Sequence, residues 1–167
     1  MSKVIQVVFV HGIGGISPVI EFIEELDNAD KDKWTPTHCG LIVDGVFQEA
    51  LASGFIGNKL ERYKPEQLRI YDIVIDDEDK IKAGDARFKE LLGQKYSVKA
   101  LIDGAAYSVF GLVLTGTQGE NDCSGDDTDI LRTYGLDIKG DVPASSITPE
   151  ILMEVIEQIG TLHVDAA

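Results

Sequence analysis

An Asp-Gly pair between two apolar segments constrains the fold of this chain more than any other feature. Asp44 and Gly45 are flanked on both sides by β-branched and apolar residues. In that setting, an Asp-Gly pair is a strong signal for a two-residue type I′ turn. If these two residues form the loop, Val43 pairs with Val46 and the strands extend outward from that pair. The sequence therefore predicts an antiparallel β-hairpin over residues 38–51.

The hairpin register predicts a histidine and a carboxylate on one face. Side chains alternate between faces with period two, so His38, Gly40 and Glu49 share a face, with Glu49 diagonal to His38. A carboxylate at that position can fix the tautomer and orientation of an imidazole, and Gly40 leaves the space between them open. This is the base and the orienting acid of a catalytic triad that still requires a nucleophile. Cys39 is predicted on the opposite face, as a buried structural thiol.

Composition favours an ordinary globular domain and excludes several classes of partner. The 167 residues are 44% hydrophobic and 26% charged, with a net charge of −14, so we expect a single domain over residues 1–167. The negative charge argues against nucleic acids and anionic membranes as partners. No segment is long and apolar enough for a membrane span, and the first residues are too polar for a signal peptide. With two cysteines and no Cys-x-x-Cys motif, we expect free thiols and a cytoplasmic location.

Periodicity and capping signals predict an α+β fold in which helices surround a small, mainly antiparallel sheet. Besides the hairpin, strands are predicted at Val4–Val10 and Leu68–Ile75. Loops are predicted at His11–Gly15, Asn28–Pro36, through Gly54 and Gly57, and at Thr115–Asp122. Helices are predicted at Ser17–Leu26, through Ala86–Leu92, at Asp126–Tyr134 with Gly135 as its cap, and from Thr148 to about Ile159. Val98–Leu114 fits helix and strand equally well.

Cys123 is the candidate nucleophile. It lies where a polar loop gives way to the predicted helix Asp126–Tyr134, and the positive end of a helix dipole favours a thiolate. A neighbouring protonated histidine would favour it further. A single cysteine is also commonly a small buried hydrophobe, so both interpretations stay open on this residue alone.

The order of these residues resembles a known family. His38, an acid eleven residues later at Glu49, and then Cys123-Ser124 at the start of a helix are similar to the circularly permuted papain-like cysteine hydrolases of NlpC type, the YiiX-like group. Further short matches are Val7–Val10, His11–Gly15, Ser17–Leu26, Thr37–Gly40, Glu49-Ala50, Gly93–Tyr96, Gly135-Leu136 and Thr148–Leu152.

The resemblance implies a permuted papain-like fold with Cys123 as nucleophile, His38 as general base and Glu49 as the residue that orients it. It implies an amidase, peptidase or acyltransferase acting on cell-wall peptides or lipid-linked amides or esters, with no cofactor or metal. One departure concerns the acidic segment 126–129, because carboxylates oppose a thiolate. One exposed charge about 8 Å away costs roughly 0.5 kcal/mol, so the predicted site is weakened and not abolished.

Other functions compete with this one. A catalytically silent binding or adaptor domain on the same fold would use the acidic rim around Cys123 to face a basic partner. Val8–Gly15 is also typical of the oxyanion loop of α/β-hydrolases, but no Gly-x-Ser-x-Gly elbow occurs in the chain. The same glycines could hold a phosphate at a helix start, although their spacing fits no phosphate-binding motif.

Three further features have simpler explanations. Zinc binding by His11, His38, Cys39 and Cys123 is hindered because His38 and Cys39 should point to opposite faces. His163 is predicted to be a solvated surface residue. Trp34 and Tyr63 could line a cleft or simply contribute to packing.

Overall fold

A six-stranded antiparallel sheet forms the centre of the computed structural model, which describes residues 2–12, 34–51, 54–94 and 123–164. Its strands are β1 Lys3–Val10, β2 His38–Val43, β3 Val46–Leu51, β4 Gly54–Asn58, β5 Leu68–Ile75 and β6 Thr161–Val164. They lie in the order β4-β3-β2-β1-β5-β6, and each neighbouring pair is antiparallel. Together with the helices, this sheet makes an α+β fold, as predicted.

Three α-helices lie within the described residues, and each has a recognisable end signal: α1 Glu78–Leu91, α2 Cys123–Thr133 and α3 Pro149–Ile159. The Asp77 side chain accepts hydrogen bonds from two backbone N–H groups of α1, and the Thr148 side chain accepts one from Ile151 of α3. After α2 the chain turns through Gly135 at φ +88°, and the N–H of Leu136 bonds the carbonyl of Leu131. This is the glycine-capped ending that the sequence predicts.

The two faces of the sheet carry different cores. On one, here called the helix face and defined by Cys39, Leu41 and Val43 of β2, the strands pack against all three helices, including Ile130 and Leu131 of α2. The opposite face, defined by Val8 and Val10 of β1 with residues paired to them, holds a smaller cluster. That cluster comprises Val8, Val10, Phe47, Tyr63, Leu68 and Ile70. Since β1 is covered on both sides, its Val7–Val10 segment is entirely buried.

Polar contacts fix the direction in which α2 lies on the sheet. Lys3 Nζ lies 3.1 Å from Asp44 in the hairpin turn and 2.6 Å from Asp85 of α1. The hydroxyl of Tyr134, just after α2, donates to Asp85 at 2.5 Å. The C-terminal end of α2 therefore lies near the hairpin turn. Because α2 packs along β2 and is about 16 Å long at 1.5 Å per residue, its N-terminus lies toward the end where β2 begins.

The contacts between α1 and α2 independently indicate the same direction for α2. Gly84 lies against Tyr134, while Arg87 pairs with Asp129 at 2.5 Å, so α1 and α2 run antiparallel. Just beyond α1, the backbone of residues 93–94 hydrogen-bonds Phe55 at the start of β4. Phe55 pairs with Ala50 of β3. The N-terminus of α2 is thus at the end of the sheet where β3 ends and β2 begins.

Most predicted elements within the described residues are confirmed, one is wrong, one begins earlier than predicted, and one strand was not predicted. Confirmed are β1, the hairpin, β5, the end of α2 and the whole of α3. The predicted loop through Gly54 and Gly57 is instead strand β4, which pairs along β3. The helix predicted through Ala86–Leu92 begins earlier, at Glu78, because Asp77 caps it there. Strand β6 was missed, as it is a four-residue edge strand with mostly exposed side chains.

The helix predicted at Ser17–Leu26, the segment Val98–Leu114 and the loop at Thr115–Asp122 lie outside the described residues. So do parts of the predicted loops at His11–Gly15 and Asn28–Pro36. Among the helices that are described, none combines the length and apolarity needed to cross a membrane.

Candidate functional site

His38 and Glu49 meet as the hairpin register predicts. Leu41 pairs with Gln48, Ile42 with Phe47 and Val43 with Val46, and this register continued outward sets Glu49 beside Gly40 and diagonal to His38. His38 Nε2 lies 2.7 Å from Glu49 Oε2. The two residues are 3% and 0% exposed, so the contact is shielded from water. The predicted hairpin and the shared face are both confirmed.

Gly40 is what allows this approach. A Cβ atom on Gly40 would lie 2.8 Å from the ring of Phe47 and 3.2 Å from the Cβ atom of Glu49. It would also lie 2.5 Å from the backbone oxygen of Gln48. The two distances under 3.0 Å are shorter than real Cβ contacts, and the third is tighter than most, so any residue larger than glycine would push β2 and β3 apart at the His38–Glu49 contact.

Three further donors surround Glu49, all contributed by the chain that follows β3. Asn58 Nδ2 donates to Oε1 at 2.8 Å and Arg62 Nη1 donates to the same oxygen at 3.0 Å. The hydroxyl of Tyr63 donates to Oε2, the oxygen that His38 also contacts. With His38, the buried carboxylate therefore has four donors on its two oxygens. We call these four residues the Glu49 cage: His38, Asn58, Arg62 and Tyr63.

Sequence reasoning missed two members of the cage. The sequence patterns do not indicate Asn58 and Arg62, and they predict Tyr63 only as a residue that lines a cleft or contributes to packing. Asn58 ends β4, and Arg62 ends a short 3₁₀ turn at Leu60–Arg62. The signal that could have indicated them is the pairing of β4 with β3. Because of this pairing, the chain at the end of β4 and just after it lies beside Glu49.

The cage determines the charge of Glu49. Burial by itself raises the pKa of this carboxyl, but the hydrogen bonds from His38 and Tyr63 and the nearby charges of His38 and Arg62 outweigh it and lower the pKa below 4.5. Glu49 is therefore ionised at neutral pH and can only accept hydrogen bonds. His38 must then carry a proton on Nε2 in either charge state, and when the imidazole is neutral its lone pair is on Nδ1. That nitrogen is the one able to accept a proton.

Cys123 is the first residue of α2, three residues before the predicted helix start. Its backbone thus has the predicted place at a helix N-terminus, at the end of the sheet where His38 begins β2. Its side chain lies outside the described residues. Because α2 packs on the helix face while His38 and Glu49 point to the opposite face, a contact between Cys123 and His38 would have to be made beyond the end of the sheet.

The carboxylates early in α2 differ from the expectation. The sequence predicts Asp126 and Asp127 as exposed charges in an acidic rim, but they are 5% and 0% exposed. Packing of α2 against β2 and the 3₁₀ turn at Ala144–Ser146 buries this part of the helix. These two residues therefore cannot face a partner in solution, and the rim as predicted is wrong for them.

The other candidate residues are accounted for by local contacts. Cys39 is fully buried on the helix face, so His38 and Cys39 do point to opposite faces. Exposed His11 contacts the carbonyl of Thr35 through Nδ1 at 2.6 Å. His163 is half exposed and lies 3.1 Å from Asp72. Within the described ranges, no three His, Cys, Asp or Glu side chains are grouped so that they could hold a metal ion.

Comparison with known proteins gives no family for this chain. No family model matches it, and no curated protein is significantly similar to it. The functional interpretation therefore depends on the site residues themselves.

Proposed function

We propose that this protein is a cysteine-dependent hydrolase with a circularly permuted papain-like fold, in which Cys123 is the nucleophile, His38 the general base and Glu49 the residue that orients the base. The observation that carries the proposal is the buried contact of His38 Nε2 with ionised Glu49. This contact leaves Nδ1 as the proton acceptor. A pairing of His38 with Cys123 is supported by the fold, because the start of β2 and the N-terminus of α2 lie at the same end of the sheet.

The energetic cost of the site favours a catalytic role over a structural one. A buried ion pair usually gives no more stability than apolar side chains of similar volume, because both charges must be removed from water. Here one fully buried carboxylate is held by four polar side chains. Such an arrangement is typical of sites where a particular protonation state and orientation are needed.

The proposed reaction is acyl transfer in two steps. Cys123 Sγ gives its proton to His38 Nδ1 and attacks the carbonyl carbon of an amide or ester. Backbone N–H groups at the start of α2, including that of Cys123, would stabilise the oxyanion. The protonated imidazole then gives its proton to the leaving amine or alcohol, which departs and leaves a thioester. Water, deprotonated by His38, hydrolyses that thioester and restores the thiol.

Small peptides, cell-wall peptides and lipid-linked amides or esters are the substrate classes that the family resemblance suggests. The residues of the site do not select among them. Reactivity of the thiol can be measured without knowing the substrate.

The test is the pH dependence of alkylation in a Cys39→Ser background, where Cys123 is the single thiol. We expect rapid labelling with a midpoint well below the ordinary thiol pKa of about 8.5. His38→Gln should move this midpoint up by about one unit or more. His163→Gln, which changes an exposed histidine on β6, is the matched control and should leave the profile unchanged.

If Cys123 labels as an ordinary thiol and His38→Gln has no effect in a folded protein, the triad does not exist. The alternative of a catalytically silent binding domain would then replace the hydrolase.

A further inference from the structure

We propose that Tyr63 and Arg62 are positioning residues that act on His38 through Glu49, holding the carboxylate in one orientation and limiting how strongly it raises the proton affinity of the imidazole. The proposal deepens the proposed function, because its value to the protein depends on His38 acting as a base. The effect of Tyr63 and Arg62 on the titration of His38 can be measured whether or not the protein is an enzyme.

Tyr63 and His38 compete for one oxygen. The Tyr63 hydroxyl and His38 Nε2 are both bonded to Oε2 of Glu49. Each donor draws electron density from that oxygen, so the Tyr63 bond weakens the bond available to the imidazolium form of His38. Without the hydroxyl, Oε2 would serve His38 alone and would stabilise the protonated imidazole more strongly.

Arg62 acts on the other oxygen and through its charge. Its Nη1 lies 3.0 Å from Oε1 of Glu49. A fixed positive charge next to the carboxylate lowers the proton affinity of Glu49 and also opposes a second positive charge on His38. Arg62 also lies over the ring of Tyr63, 5.3 Å from its centroid, so the two side chains support each other.

The neighbouring strands contribute no charge at the positions that pair with His38, Gly40 and Glu49. Opposite His38 and Gly40, strand β1 contributes Val10 and Val8, which carry no charge. Ile56 of β4 lies opposite Glu49. Asn58 donates to Oε1 but is neutral. Tyr63 and Arg62, which contact the carboxylate directly, are therefore groups through which the proton affinity of the His38–Glu49 pair can be set.

The alternative is that Tyr63 only fills space. Its ring packs edge-on against Phe47, with centroids 6.2 Å apart, and both belong to the cluster on the opposite face. Tyr63→Phe keeps that packing and removes only the hydroxyl. Phe47→Leu is the matched control, since it loosens the same contact and removes no donor from Glu49.

The experiment is an NMR titration of the His38 imidazole in the full chain, together with the alkylation profile of Cys123. We expect Tyr63→Phe to raise the pKa of His38 by about half a unit or more, and Arg62→Gln to raise it in the same direction. Phe47→Leu should lower the free energy of unfolding and leave the titration of His38 unchanged. If Tyr63→Phe unfolds the chain, Arg62→Gln decides the question, because its side chain is 45% exposed.

An unchanged His38 titration in the folded variants would overturn the proposal. Failure of the proposed function is a separate outcome: Cys123 would then alkylate independently of His38, while the imidazole titration would still report on Tyr63 and Arg62. A shift in the titration of His38 caused equally by Phe47→Leu would also contradict the proposal, since packing would then explain the effect.

Discussion

Gly40 and Glu49 lie side by side on paired strands, so close that a Cβ atom on the glycine would sit 3.2 Å from the Cβ atom of the glutamate. This spacing lets the Glu49 carboxylate reach the imidazole of His38, two residues before Gly40 on the same face. The position of the carboxylate therefore depends on a missing side chain as much as on the groups that bind it.

Gly40→Ala should destabilise the protein by about 1–3 kcal/mol, since the added methyl overpacks a closed site, and should disturb the His38 imidazole signals. Chemical denaturation and NMR measure the two effects. Gly57→Ala on β4 is the matched control, because its Cβ would meet no atom closer than 3.9 Å. Equal effects of the two substitutions would contradict the proposed role of Gly40.

Replacement of Glu49 by Gln should cost about 3 kcal/mol at pH 7, because it leaves the buried partners of the carboxylate without their charge. The pKa of Glu49 is lowered in the folded state, so its ionised form contributes stability above the unfolded value of 4.5. That contribution is lost as the pH falls from 4.5 through the folded pKa. The gap in unfolding free energy between wild type and Glu49→Gln should therefore narrow as the pH is lowered from about 5 to below 4.5. A gap that stays constant over this range would show that the carboxylate is not held ionised.

Gly84→Ala should destabilise helix α1 even though alanine is the better helix former. The Tyr134 ring lies directly against Gly84, where a Cβ would overlap it. Ala86→Gly, at an exposed position of the same helix, gives the intrinsic difference of about 1 kcal/mol. We expect Gly84→Ala to lose about 1–3 kcal/mol in thermal or denaturant unfolding. A gain in stability would mean that Tyr134 moves freely out of the way.

Asp85→Asn should cost more stability than Asp44→Asn, although both carboxylates pair with Lys3. Asp85 accepts from Lys3 and from Tyr134, and its side chain is 28% exposed, against 76% for Asp44. We expect about 1–2 kcal/mol for Asp85→Asn and about 0.5 kcal/mol or less for Asp44→Asn. Asn also tolerates the left-handed backbone at Asp44, where φ is +52°. The denaturant midpoints of the two variants measure this difference. A larger loss of stability in Asp44→Asn than in Asp85→Asn would contradict the prediction.

Cys39→Ser should cost about 1–3 kcal/mol, because it puts a hydroxyl into the apolar core on the helix face. Alkylation of Cys123 should keep its rate and pH midpoint in this variant. The measurement compares the rate and extent of thiol labelling in the wild type and in the variant, both under native conditions. Loss of the fast-reacting thiol on Cys39→Ser, with the fold retained, would assign the reactive group to Cys39.

The hairpin and its polar pair could be predicted because local chemistry determines them. Asp44-Gly45 sets the turn, the turn sets the register, and the register sets His38 and Glu49 on one face. The ends of α2 and α3 were predictable for the same reason, since Gly135 and Thr148 act on the backbone a few residues away.

Features that depend on distant contacts were harder to predict. Gly54 and Gly57 weaken the strand signal of β4, which forms because β3 offers it an edge to pair with. Asn58 and Arg62 become part of the site only after that pairing. The burial of Asp127 likewise follows from how α2 packs on β2, which no local pattern in the acidic segment reports.

The place of β1 in the sheet has a consequence during synthesis. This strand emerges before either of its neighbours, yet in the finished sheet it lies between β2 and β5, and residues 11–67 come between Val10 and Leu68. Strands β2, β3 and β4 are separated by only two residues each and can pair early, but one edge of the apolar β1 stays open until β5 has been made. A chain interrupted before Leu68 would therefore present an unpaired apolar edge to other chains. We therefore expect the period on the ribosome before β5 appears to carry the greatest risk of aggregation for this chain.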